Sequence, residues 1–327
     1  ISARLGFDFN WYSAFHPDAG LNPGFEYKVL KVFPDGSSHV RDGQGVTFVK
    51  DPNARSIPAE VDHLLNDRAA WQEHYRERLQ WKPERVLNAM VRVNDKMVPF
   101  NAGGLDFLKK DCRDVPYGLH CGSLYGSLRN YMGMENLCYL LADDEPLLDE
   151  MIETMGELCF QCVKFTLESG ARFDFGHFWE DICFKNGPLV NPEVFAAKVG
   201  PQYRRITSLL HQYNLKIVSL DCDGMIDALI PTWFQNGVNT MFPIEVGTWN
   251  ASIKPWREQY GRELRGVGGM NKTVFATDRK SVDAEIERLR PLVELGGYIP
   301  CPDHRIAPDA KWDLVRHYCD RMRAVFG

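Results

Sequence analysis

Asp221, Cys222 and Asp223 stand in a row where the apolar run over 215–220 gives way to Gly224 and an amphipathic stretch. Side chains alternate along a strand, so the two carboxylates share a face and the thiol takes the other, where it reads as buried. Crowded carboxylates raise one another's pKa and suit proton transfer, unless a cation neutralises them. Other apolar runs end in the same way. His177, Trp179, Glu180 and Asp181 close one, Glu245 another, Asn271 and Lys272 a third, and Cys301, Asp303 and His304 the last. Glu180, Asp221, Asp223 and His304 also carry the oxygens and the imidazole nitrogen that a divalent metal takes, though with no compact spacing such as H-E-x-x-H. Any single acid could instead cap the next helix, as Asp223 before Gly224 or Asp309 before "AKWDLVRHY". Five such strand ends point to one shared site.

For these groups to meet, strand ends must gather at one edge of a sheet. From Pro116 onward, short β-rich stretches at 115–121, 171–177, 216–221, 238–243, 264–269 and 297–301 alternate with long amphipathic ones. Two helices fit in 133–168. Another opens at Asn191-Pro192-Glu193, a cap residue with Pro at the first helical position, and puts Phe195, Val199, Tyr203, Ile206 and Leu210 on the helical step. Further helices fit 226–236, 250–261, 279–294 and 309–325. Strand and helix in single file imply a parallel sheet, and six such units within 102–325 predict an α/β fold, the TIM (β/α)8 barrel, over a single domain of residues 1–327. A doubly wound open sheet is the alternative, but G-x-G-x-x-G and G-x-x-x-x-G-K-[ST] are both absent. Ahead of the barrel units, 26–50 alternates around Pro34-Asp35-Gly36 and Asp42-Gly43 and predicts a small antiparallel β-meander. Residues 65–81 predict an exposed helix capped by Asp67, and nothing before about Asn101 reads as catalytic.

Composition bounds the function classes. A 44% hydrophobic, 25% charged chain without an apolar run of membrane length reads as a soluble globular protein. A net charge of -6 with scattered Lys and Arg offers no stripe for a phosphate backbone, so small molecules are expected rather than nucleic acid. Nine cysteines without a regular spacing predict reduced thiols and a cytoplasmic protein; Cys159 and Cys162 form one C-x-x-C that reads as helix packing. The chain begins at Ile1, so no targeting signal is judged.

Four stretches resemble the uroporphyrinogen decarboxylase superfamily: "GSLYGSLRNYMGMENL" (122–137), "FWEDICFKNGPLVNPEVFAAKVGPQYRRI" (178–206), "SLDCDGMIDALIPTWFQNGVNTMFPIE" (219–245) and "GGYIPCPDHRIAPD" (296–309). The resemblance implies a TIM barrel with its site at the C-terminal mouth, often in a homodimer. It also implies one of two chemistries: decarboxylation of a carboxylated tetrapyrrole without a cofactor, or methyl transfer involving a corrinoid protein with zinc as activator. The decarboxylases' N-terminal arginine motif, similar to L-M-R-Q-A-G-R, has no counterpart; "ARLGFDFNWYSAF" stands there instead. In the methyltransferase register, the H-x-C and final Cys positions fall on Asp221, Asp223 and His304, an Asp, Asp, His set that departs from the thiolate pattern and suits a harder metal or none. The leading expectation is methyl transfer from a small methylated substrate, such as a methyl ether or methylamine, to a corrinoid protein. Glu180, Asp221, Asp223 and His304 are then the catalytic set, Trp179 and His177 wall the pocket, Glu245 adds a polar group, and Arg129 and Lys272 grip a substrate carboxylate. The alternatives are a cofactor-free decarboxylase and a non-catalytic barrel that binds a ligand.

Overall fold

The structure is a computed structural model that describes residues 5–6, 13–54, 57–93, 96–110, 113 and 115–327. Its centre is a seven-stranded parallel sheet: β1 (Ala14–Phe15), β2 (Gly118–His120), β3 (Phe175–Trp179), β4 (Val218–Asp221), β5 (Thr240–Ile244), β6 (Arg265–Met270) and β7 (Tyr298–Pro302). The strands lie side by side in chain order and every pairing is parallel. An order that never reverses is single winding, as in a barrel; a doubly wound sheet turns back at a switch point. All six expected strands are present. The seventh, β1, lies outside the expected set: its two residues pair with Gly118 and Leu119 and lead directly into His16, so the segment before Asn101 also contributes to the central sheet.

Helices pack against this sheet along apolar stripes that are covered in the structure. Phe195, Val199, Tyr203, Ile206 and Leu210 are each buried completely, as the helical step requires, but over two helices, Pro192–Lys198 and Gly200–Gln212. Asn191 caps the first as expected, its side chain accepting from the N–H groups of Glu193 and Val194. The helix expected over 226–236 starts only at Ile230, and that over 279–294 matches.

The meander is larger than expected: Lys28–Val32, Ser38–Arg41 and Val46–Lys50 are joined antiparallel by a fourth strand, Glu60–His63. The segment 65–81 differs more. It is a chain of short turns, of which Trp71–Tyr75 is a π-helical piece, and it buries Trp71, Tyr75 and Leu79 rather than lying exposed. Those three sit four residues apart, so they form a narrow stripe that the surrounding charges obscure in the sequence. The motif residues 3–12 ahead of β1 lie mostly outside the described residues.

Candidate active site

Strand β3 sets the geometry. Phe175, His177 and Trp179 are half-buried and alternate with Gly176 and Phe178, which are buried. Phe178 packs edge-on against Tyr203 of Gly200–Gln212, with ring centres 5.0 Å apart, so His177 and Trp179 stand on the face turned away from that helix. His177 is in register with His120 on one side and Ser219 on the other. The ring of His120 lies 5.7 Å from that of His177 and stacks at 4.6 Å on His16, and His177 Nδ1 is 2.8 Å from Ser219 Oγ. The Gly122 N–H donates to His120 Nδ1 at 3.1 Å, which leaves the Nε2 atom of the neutral ring as its donor.

Burial, then the charge of His16, depresses His177 to about 4; burial with His16 and His177 puts His120 well below its ordinary value. Both are neutral at neutral pH. An unfolded His177 titrates near 6.5 and the folded one near 4, so its contribution is complete above 6.5 and disappears as the pH falls through 4. The loss is roughly 3 kcal/mol in full, and about 2 kcal/mol by pH 5. A His177→Gln variant is therefore expected to lose less urea stability than the wild type between pH 7.5 and pH 5. Equal losses would show that His177 takes up its proton in the folded state.

Two residues further along the strands lies a layer of acids. Asp221 is in register with Trp179 and Phe242. Burial, then the charges of Asp223 and Asp181, push its carboxyl up to about 8 against the pull of Arg305, so it is protonated at neutral pH. Asp223 Oδ2 and His304 Nε2 are 3.0 Å apart, joining the loop after β4 to that after β7; their side chains are 43% and 34% exposed, within reach of a substrate. Gly224 turns the chain here at φ +92°, and a Cβ would stand 2.8 Å from the backbone of Cys183, so the close approach and the positive φ both require glycine.

Several expected site residues are placed in supporting roles. Glu180 is fully buried, and its carboxylate accepts from the N–H groups of Leu124, Tyr125 and Gly126 and from the hydroxyls of Ser123 and Tyr203. It thus anchors the start of helix Gly126–Met132 from the end of the neighbouring strand, so the carboxylate expected in the catalytic set is enclosed by five donors of the protein itself. Glu245 is buried too: Oε2 accepts from Gly224 N at 2.6 Å and Oε1 from Thr248 Oγ1 at 3.1 Å. Arg129 binds the carboxylate and carbonyl of Asp181, so its guanidinium is engaged within the protein. The Lys272 N–H donates to Asp303 Oδ1, and Asp303 Oδ2 accepts from Val246 and Gly247, tying the loops after β5, β6 and β7 together. Sequence reasoning placed Asp181 and Asp303 at the strand ends but gave them no role of their own; their signal was position alone, one residue after Glu180 and one before His304.

The donor set does not fit the expected metal site as arranged. Among the described residues no three His, Cys, Asp or Glu side chains converge as a cation site. Asp223 and His304 bond to each other, and burial pushes Cys222 well up and Cys301 to about 12, so neither thiolate is at hand. Cys222 is fully buried, as the alternation predicts. Hydrogen-bonded acids and an imidazole remain, a set that moves protons.

No family model matches the chain, and no curated protein does. Among solved structures, a methyltransferase from Methanosarcina mazei is similar, with a TM-score of 0.54 and 14% identity over 83% of this chain and 73% of that one. Likeness at that identity is one of fold. No helix among the described residues is long and apolar enough to cross a membrane.

Proposed function

We propose that the chain is a cytoplasmic methyltransferase whose parallel sheet closes as a barrel of the uroporphyrinogen decarboxylase type, and that it moves a methyl group from a small methylated substrate to a corrinoid on a partner protein. The observation that carries this reading is the Asp223–His304 pair at the C-terminal strand ends, beside the protonated carboxyl of Asp221. Methyl transfer leaves an electron pair on the departing oxygen or nitrogen, and a positioned acid that protonates it lowers the barrel-mouth reaction's barrier. His304 donates that proton, Asp223 orients its ring, and Asp221 holds the substrate. The corrinoid supplies the methyl acceptor. Fold likeness to a methyltransferase and the free thiols of all eight described cysteines agree with this reading. The engagement of Arg129 with Asp181 weighs against a carboxylate grip of the decarboxylase kind.

The test is a donor panel of methyl ethers and methylamines with a reduced corrinoid protein, followed by the corrinoid absorbance, beside elemental analysis of the purified chain. Transfer from at least one donor is expected. Carbon dioxide release from a carboxylated substrate without methyl transfer would sink the proposal. About one metal per chain, lost in an Asp223→Ala, His304→Ala double variant, would return the acids to a ligand role.

A further inference from the structure

The strands β4 and β5 are buried along almost their whole length. Asp221 is the half-buried residue of β4 and Phe242 that of β5, and on β3 the corresponding position is the half-buried Trp179. Register places these three side by side on adjacent strands, Trp179 beside Asp221 and Asp221 beside Phe242. Neighbouring strands lie about 4.8 Å apart, so a carboxyl stands between two aromatic side chains in one accessible row. Asp181 and Asp223 act on Asp221 through their charges, with Arg305 acting in the opposite sense and Arg129 already bound to Asp181.

An aromatic face attracts a cation through the negative charge of its ring. The cation in turn favours ionisation of the neighbouring Asp221, whose carboxyl, pushed up to about 8, is protonated in the free chain and becomes the counter-charge on binding. A carboxylated or phosphorylated ligand would meet the like charges of Asp181 and Asp223 beside the row, with Arg129 already engaged by Asp181, and a neutral methyl ether would gain from the rings but not from the acids. We propose that the row Trp179–Asp221–Phe242 binds a small N-methylated ammonium cation, which makes the methyl donor an amine rather than an ether. This deepens the methyltransferase reading above and rests on it. In the transfer the N–CH3 bond breaks, the bonding pair stays on nitrogen, and the methyl goes to the acceptor. Asp221 holds the cation, and the Asp223–His304 pair protonates the amine that leaves.

Calorimetry on the purified chain with choline and with its uncharged carbon isostere, 3,3-dimethylbutan-1-ol, separates charge from shape. Choline is expected to bind roughly tenfold or more tightly than the isostere, the size of a desolvated cation–π contact. Trp179→Leu and Asp221→Asn should each remove most of that difference, and Trp179→Phe should keep most of it. Equal binding of the two probes, or binding of neither, would overturn the proposal, and the wild-type comparison stands even where a variant fails to fold. Methyl transfer from a neutral ether without choline binding would overturn this inference and leave the methyltransferase reading intact. Choline binding with no transfer from any donor would overturn the methyltransferase reading, and the donor assignment with it, and leave only a cation-binding row.

Discussion

His304→Gln is expected to lower the rate of methyl transfer by roughly 10²- to 10⁴-fold, the contribution of a positioned acid, while the urea midpoint stays near that of the wild type. The imidazole side chain is a third exposed and its described partner is the Asp223 carboxylate, so little packing is lost with it. Gln keeps a hydrogen-bond donor but has no proton to give. Asp223→Asn should bring a comparable loss, because it leaves the ring of His304 without its anionic partner. Since the two act as a unit, the double variant should be no slower than the worse single one. Kinetics of the four proteins with one methyl donor decide this: losses that multiply would mean independent roles, and wild-type rates would place the chemistry elsewhere.

Glu180→Ala should bring the largest loss of stability, about 3–5 kcal/mol in chemical unfolding. The substitution leaves the N–H groups of Leu124, Tyr125 and Gly126 and the hydroxyls of Ser123 and Tyr203 buried without their acceptor. Burial pushes this carboxyl up, and the bonds from Tyr203, Gly126, Leu124 and Ser123 pull it back. Glu180→Gln should recover only part of the loss, because one of its two acceptor oxygens becomes an amide donor facing the donors already there. Tyr203→Phe, which removes one donor and leaves the carboxylate its other four, should cost about 1–3 kcal/mol. A Glu180→Ala midpoint close to wild type would mean that the loop 123–126 satisfies itself in another way.

The acids at the strand ends were legible because a parallel sheet fixes where its strand ends go. Period and composition found β2 to β7, and the two-residue alternation separated Asp221 and Asp223 from the buried Cys222. Which acid faces a substrate was not legible in the same way. Glu180 and Asp181 are adjacent in sequence, yet one is enclosed by backbone donors more than fifty residues away and the other reaches Arg129 at the site. That difference depends on the approach of the turn 122–126, a tertiary contact that no local pattern encodes. Strand β1 escaped notice because two residues carry no periodicity, and the stripe of Trp71, Tyr75 and Leu79 because charged neighbours surround it.

The placement of β1 bears on the order of folding. Its partner β2 follows roughly a hundred residues later, beyond the whole antiparallel excursion, whereas the other neighbouring strands are separated by roughly 20 to 60 residues. Loop-closure entropy grows only with the logarithm of length, about 0.6 kcal/mol per doubling, so the long connection does little to the final stability. It acts on the rate: β2 to β7 can assemble from short-range units while β1 still searches for its edge. His16 arrives with β1, and until it does the stack on His120 is incomplete. The polar interior beneath the acids is thus expected to be among the last parts of the protein to form, with the stack of His16 on His120 as the contact that would report it.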